Sequence, residues 1–226
     1  LHIDPWKNCK TIDSGIYETL NLIKYCLRID PGCMFEIGTE EAIYPYTPVE
    51  LEKIIKTIKS CLGDQFKNVV YGVVQSGTKI KEMRNTGKFD HKKSKEMSGI
   101  CKKYGIFAKE HNTDYLTIEE IKMRINSGVD SLNIAPELGI IETGVILDEL
   151  EKNKKLKQEF LDICYNSKKW VKWVDNEPGK DKIARICGHY MFSTEEFIKI
   201  KQKLPIDIDK KIKNRIKTKL SLLKNI

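Results

Sequence analysis

The feature that most constrains the fold is the regular alternation of two kinds of segment through the first 150 residues. A short apolar run ends in a polar cluster and is followed by a stretch whose apolar residues recur every three or four positions, as in an amphipathic helix. Five such units follow one another. This alternation predicts right-handed βαβ crossovers and a parallel sheet. The strands are predicted at 1–4, 33–37, 68–74, 106–108 and 131–135.

The helices are predicted from their caps and breakers. A helix of about 14 residues follows a cap at Asp13-Ser14, and helices also begin near Pro48, over 92–104, after Thr117 and at Pro136. Beyond Lys152 only helical patterns recur, over 155–165, 168–174, 182–190, 194–204 and 207–223. We therefore expect a βα domain over 1–152 and a helical extension over 153–226, with Trp170 and Trp173 packed against the barrel exterior or a partner.

Composition bears on location and partners. The seven cysteines are scattered without a CxxC pair, which favours reduced thiols in a cytoplasmic protein. No apolar run is long enough for a bilayer and no signal peptide opens the chain, so no membrane partner is expected. The net charge of +8 is interleaved except in the tail from Asp209, where a solvated helix face is favoured over a nucleic-acid partner.

Polar residues gather where each predicted strand ends, and βα loops at the carboxyl ends of parallel strands carry the chemistry in such folds. A histidine with carboxylates, such as His111 with Glu36, can bind a divalent cation, and these ligands suit zinc. Backbone N–H groups just before a helix can hold a phosphate. The five polar tips comprise Asp4; Glu36 with Glu40 and Glu41; Gln75, Ser76 and Thr78, with Gly77 between them; Glu110, His111, Asn112 and Asp114; and Asn133 with Glu137.

Structural alternatives remain open for these residues. His111 is a single histidine, because His2, His91 and His189 are not predicted to converge on it, and it could simply order its loop through Asp114. In the same way, the segment 75–78 could be an ordinary turn, and Glu36 could pair with Lys109. The chain has no nucleophile elbow, Walker loop or GxGxxG fingerprint, which disfavours those chemistries.

Six segments in a fixed order resemble one known family. They are His-Ile-Asp at 2–4, Glu-Ile-Gly-Thr-Glu at 36–40, Val-Val-Gln-Ser-Gly at 73–77, Phe-Asp-His at 89–91, Glu-His-Asn-Thr-Asp-Tyr at 110–115 and Asn-Ile-Ala-Pro-Glu-Leu at 133–138. Together they resemble the GatZ/KbaZ family, the tagatose-bisphosphate aldolase subunit usually called non-catalytic. That family is similar to class II sugar-bisphosphate aldolases. The resemblance covers residues 1–150 and continues more weakly beyond them.

The resemblance implies an α/β fold of the (β/α)8 TIM-barrel type in which the five strands of this chain are strands four to eight. Five βα units cannot close a barrel, since the first and last strands would present unpaired edges. We expect upstream sequence to supply the missing strands, with a second chain as the less favoured source. The Gly-Asp-His strand end of the family does not occur in this sequence. Gln75 stands where catalytic class II enzymes place a zinc histidine, and only His111 matches such a histidine.

The resemblance also implies roles. The chain would be an accessory subunit of a tagatose-bisphosphate aldolase, or a diverged lyase acting on a similar substrate; the alternative is an interaction protein that only stabilises a catalytic partner. Asp4 and Glu36 would be catalytic, and His111 and Glu36 would hold zinc. We expect a phosphorylated sugar, a catalytic aldolase subunit and an oligomeric assembly as partners. The residues expected to bind the sugar phosphate are Gln75, Gly77, Thr78, Asn112, Asp114 and Asn133.

Overall fold

A computed structural model describes residues 1–174 and 176–224 of the chain. They form two compact units. The first comprises Leu1–Lys79 and Asn85–Asn133, and the second comprises Ile80–Arg84 and the described residues from Ile134 onward. The division after Asn133 differs from the expected boundary between 1–152 and 153–226, because the helix that follows Asn133 shares its core with the later helices.

The first unit is built on a five-stranded sheet in which every pairing is parallel. Its strands lie side by side in the order in which they occur along the chain. A sheet wound in one direction is the arrangement of a β/α-barrel wall, whereas a doubly wound sheet reverses direction. The strands are β1 (His2–Ile3), β2 (Phe35–Ile37), β3 (Val69–Val74), β6 (Phe107–Glu110) and β7 (Ser131–Leu132).

The parallel α/β class is therefore confirmed, while the closed (β/α)8 barrel is not formed by the described residues, whose parallel sheet has five strands. A further difference lies in the segment predicted as a polar loop before Asp90. It contains a two-stranded sheet of β4 (Ile80–Lys81) and β5 (Arg84–Asn85).

Four helices of the first unit connect its strands: α1 (Ile12–Ile29), α2 (Pro48–Leu62), α3 (His91–Lys103) and α4 (Ile118–Asn126). Capping boxes start three of them, with Thr11, Thr47 and Thr117 as the caps. The first helix thus begins earlier than predicted. The Thr11 hydroxyl accepts from the Ser14 N–H, and the Ser14 hydroxyl accepts from the Thr11 N–H.

The second unit contains α5 (Pro136–Leu150), α6 (Lys154–Asn166), α7 (Lys180–Cys187), α8 (Glu195–Lys201) and α9 (Ile208–Leu223). The helix predicted over 168–174 is only a short 3-10 turn at Val171–Trp173. Trp170 was expected to pack against the barrel exterior or a partner. It is buried in the core of this unit, and its indole N–H donates to the Tyr165 carbonyl at 2.9 Å.

Each unit has its own apolar core. The core of the first unit contains apolar side chains of α1, α2 and α3 together with residues of the sheet such as Phe35 and Ala108.

No helix among residues 1–174 and 176–224 combines the length and the apolar character needed to cross a membrane.

Candidate functional site

The polar strand tips of the first unit meet at one end of the sheet. Parallel pairing brings all carboxyl ends to the same edge. The Thr39 hydroxyl donates to Asp4 Oδ2 at 3.0 Å, and the side-chain amide of Asn133 lies 3.2 Å from His111 Nδ1. Tips from the first, second, fourth and fifth strand positions of the sheet therefore contact one another or a shared neighbour.

Glu36 is the centre of this group. Its side chain is buried, and Oε1 pairs with His111 Nε2 while Oε2 pairs with Lys109 Nζ at 2.6 Å. Lys109 also lies 5.4 Å from the centroid of the Tyr71 ring. The pairing of Glu36 with Lys109, one of the alternatives from the sequence, is thus present together with the pairing to His111.

His2 joins the group, contrary to the expectation that His111 stands alone. Its Nε2 lies 3.8 Å from Glu36 Oε1, and its ring centroid lies 4.7 Å from that of His111. The cause is the register of the sheet, which aligns His2 with Glu36 across β1 and β2. A signal was present in the sequence: side chains two apart on a strand share a face, so a functional Asp4 places His2 on the same side.

The carboxylates set the charge of His111. Burial alone would lower the pKa of His111, but hydrogen bonds to Glu36 and Glu40 outweigh burial and raise the pKa to about 9. Burial likewise opposes ionisation of Glu36, yet the bonds from His111 and Lys109 lower its pKa to about 2. The pKa of Glu40 is lowered by its bond to His111. Without a metal, the site at neutral pH is an imidazolium held among carboxylates.

These residues fit a divalent cation. One donor atom from each of His2, Glu36 and His111 can be chosen so that all three lie within 4.8 Å of one another. Two imidazoles and a carboxylate form a donor set that zinc accepts. Glu36 Oε2 is paired with Lys109, so Oε1 is the carboxylate oxygen that faces the two imidazole rings. Glu40 Oε1 lies 3.5 Å from His111 Nδ1, as a carboxylate that orients a metal-binding imidazole would.

Gln75 is held by the backbone around it. Its side-chain NH2 donates to the carbonyls of Thr39 and Tyr44 at 3.0 and 2.9 Å, and its oxygen accepts the Tyr46 N–H at 2.9 Å. The residue is 2% exposed. Both amide hydrogens are therefore used within the protein, and substrate binding by Gln75 stays a prediction.

The other expected phosphate residues lie in the same loops. The Gly77 N–H donates to Glu41 Oε2 at 3.0 Å, and the Thr78 hydroxyl donates to the His111 carbonyl at 2.9 Å. The backbone carbonyls of Asn112 and Asp114 accept from Asn85 Nδ2 at 2.8 and 3.3 Å. Asn112 is in the left-handed region with φ 56°, and Asp114 is buried.

A buried ion pair lies on the opposite face of β6 and was missed from the sequence. Glu110 is fully buried, accepts from the Ser76 hydroxyl, and has Oε2 2.9 Å from Arg124 Nε. Successive side chains of a strand point to opposite faces of the sheet, so Glu110 lies on the other face from Lys109 and His111. The sequence cluster at 110–114 therefore mixes a structural carboxylate with the histidine of the site.

Solved structures share this fold at low sequence identity. A probable tagatose 6-phosphate kinase from Sinorhizobium meliloti aligns with 88% of this chain and 58% of its own, at 16% identity and a TM-score of 0.69. The fructuronate-tagaturonate epimerase UxaE from Cohnella laeviribosi, in a glycerol complex, aligns with 92% of this chain and 50% of its own, at 12% identity and a TM-score of 0.61. The fold is thus of the TIM-barrel-like kind, and the chain spans 50–58% of these structures.

By sequence, no protein-family model and no curated protein matches the chain.

Proposed function

We propose that the protein binds a divalent cation, with zinc as the first candidate, together with a phosphorylated sugar at the carboxyl end of its parallel sheet. The observation that carries the proposal is the cluster of His2, Glu36 and His111, whose donor atoms lie within 4.8 Å of one another. It is supported by the names of two proteins that share the fold, which refer to tagatose 6-phosphate and to tagaturonate.

The proposed reaction class is that of a diverged class II aldolase-like lyase. A bound divalent cation would polarise a carbonyl group of the sugar. His2, Glu36 and His111 would hold the cation, and Glu40 would orient His111 through Nδ1. Asp4 directly follows β1, accepts from the Thr39 hydroxyl, and would orient a substrate hydroxyl. The expected phosphate contacts are Gly77, Thr78 and Asn133.

Zinc titration by calorimetry tests the cation site. Chelator-treated protein is compared with His111→Gln, His2→Gln and His91→Gln. His91 lies at the exposed start of α3 and is the matched control. We expect one zinc per chain in the unaltered protein and in His91→Gln, and a loss of at least about tenfold in affinity in the other two, as found for lost metal-site contacts. Equal affinity in all four proteins would remove the proposal.

Aldol cleavage is tested separately, with zinc-loaded protein and tagatose bisphosphate. Cleavage products that vanish with His111→Gln would support the lyase. Zinc binding without cleavage would support the accessory role instead.

A second candidate, an accessory subunit of a catalytic aldolase, is favoured by Gln75. The resemblance places a zinc histidine of catalytic enzymes at this position, and here the side chain is taken up by bonds to three backbone groups. Added protein would then raise the activity or thermal stability of a catalytic class II aldolase from the same host. No change in either property, with no co-purification of the two chains, would argue against this role.

A further inference from the structure

The loop after β2 sends two neighbouring carboxylates to two different places. Glu40 faces His111, as described above, whereas Glu41 points to the loop after β3. There Glu41 Oε2 accepts the Gly77 N–H at 3.0 Å, and Oε1 lies 2.8 Å from Lys93 Nζ. A backbone N–H and an ammonium held 3 Å from an oxyanion are the contacts that anion sites use.

The Gly77 N–H is fixed in this direction by its backbone. Gly77 has φ +94°, and a Cβ added there would lie 2.1 Å from the Lys88 carbonyl. The loop is closed by the Asp90 N–H, which donates to the Ser76 carbonyl at 2.9 Å. The position therefore requires glycine, and its N–H donates to the Glu41 carboxylate.

The cavity beside Glu41 holds more positive charge than the single Glu41 carboxylate neutralises. A cavity of about 530 Å³ is lined by Glu41, Gly77, Thr78, Lys79 and Lys88, among others. Lys93 is paired with Glu41, while neither Lys79 nor Lys88 has an ion pair within residues 1–174 and 176–224. An oxyanion in this cavity would meet two exposed lysines in addition to the groups that Glu41 holds.

The cavity adjoins the proposed cation site through two short links. Thr78 lines it and donates to the His111 carbonyl at 2.9 Å, and Glu41 directly follows the Glu40 that faces His111. The loops after β2 and β3 thus contribute residues to both places.

We propose that Glu41 is a built-in competitor for an oxyanion subsite formed by the Gly77 N–H and Lys93. The phosphate or carboxylate group of an incoming sugar derivative replaces the Glu41 carboxylate there, with Lys79 and Lys88 at its rim. This inference rests on the proposed function for the nature of the substrate. Glu41 then sets specificity, because only a ligand whose anionic group binds better than the internal carboxylate opens the subsite.

Anion titrations of Glu41→Gln test this role, with inorganic phosphate and acetate as the two probes. The substitution keeps the shape of the side chain and removes its charge. The matched control is Glu96→Gln, which makes the same charge change at an exposed position of α3. We expect Glu41→Gln to bind one or both anions about tenfold more tightly than the unaltered protein, the ratio for about 1.4 kcal/mol, and Glu96→Gln to differ by less than about twofold.

Lys93→Gln provides a second variant that leaves Glu41 in place, with Lys95→Gln as its control. We expect Lys93→Gln to weaken anion binding at least about fivefold, because it loses a charge-assisted contact. Preference for phosphate over acetate would identify a phosphorylated ligand, and the reverse a sugar acid; both support the subsite. Equal anion affinity in Glu41→Gln and Glu96→Gln would overturn it.

Zinc binding measured on the same variants separates this inference from the proposed function. If zinc binds and the Glu41 effect is absent, only the competitor role fails. If Glu41→Gln binds anions more tightly but zinc does not bind, only the cation site fails.

Discussion

At the scale of single residues, the site is defined by competition for Glu36. His111 and Lys109 both pair with its carboxylate, and His2 faces the same oxygen as His111. A metal ion at this place would share Glu36 with an ammonium group. The strength of cation binding should therefore depend on Lys109 as well as on the ligands themselves.

Replacing Lys109 with methionine should raise zinc affinity about tenfold, equivalent to about 1.4 kcal/mol. The substitution removes a positive charge 2.6 Å from Glu36 Oε2 and keeps an apolar stem against Tyr71. Calorimetric titration of zinc measures the effect, with the exposed Lys95→Met as the control. Unchanged or weaker binding in Lys109→Met would show that the ammonium is needed to hold Glu36 in position.

The stability of the chelator-treated protein should depend on pH through the same residues. His111 has a pKa of about 9 in the fold and an ordinary pKa of 6.5, so its contribution to stability is complete below about 6.5 and is lost as pH rises through about 9. Glu36 has a pKa of about 2 against 4.5, so its contribution is present above about 4.5 and is lost as pH falls through about 2.

Urea unfolding between pH 6 and pH 9.5 measures this dependence. We expect the free energy of unfolding to fall by on the order of 3 kcal/mol more in the unaltered protein than in His111→Gln, at about 1.36 kcal/mol per pKa unit. His91→Gln should follow the unaltered protein. Parallel curves for the unaltered protein and His111→Gln would contradict the strong pairing with Glu36.

At the scale of secondary-structure elements, the two faces of β6 carry charged residues with different roles. One face carries Lys109 to the site, and the other carries Glu110 into a buried pair with Arg124 of α4. Removing one member of a buried pair leaves an uncompensated charge, whereas removing both is tolerated.

Arg124→Met should therefore destabilise the protein by about 3–5 kcal/mol, measured by urea unfolding. The double variant Glu110→Gln with Arg124→Met should recover most of that loss, because no buried charge remains. A double variant as unstable as the single one would mean that Arg124 acts through its packing on Phe89, 4.5 Å from the ring centroid, and not through charge.

Sequence patterns predict the elements of the first unit better than the site. The helices that begin at Pro48 and after Thr117 lie where proline and capping rules place them, and the unbroken apolar run gives β3. His2 was missed because its position beside Glu36 depends on the register between β1 and β2. That register cannot be read from the sequence of one strand alone. The contacts of Glu41 and Glu110 were missed for a similar reason, since they depend on partners more than 10 residues away.

At the scale of the whole molecule, the proposed cation site belongs to the first unit alone. His2, Glu36 and His111 all lie in that unit, and each unit has its own apolar core. Hydrogen exchange with and without zinc tests this location. We expect slower exchange in residues 33–41 and 107–115 on adding zinc, and unchanged exchange in α6 to α9. Protection centred on the helices of the second unit would place the ion elsewhere.

X-ray absorption at the zinc edge reports which atoms bind the ion proposed for His2, Glu36 and His111. The protein has seven free cysteines, so thiolates are the competing ligands. We expect a shell of nitrogen and oxygen at about 2.0–2.2 Å with imidazole scattering beyond it, lost in His111→Gln. A sulfur shell at about 2.3 Å, or a spectrum unaffected by His111→Gln, would contradict the proposed cation site.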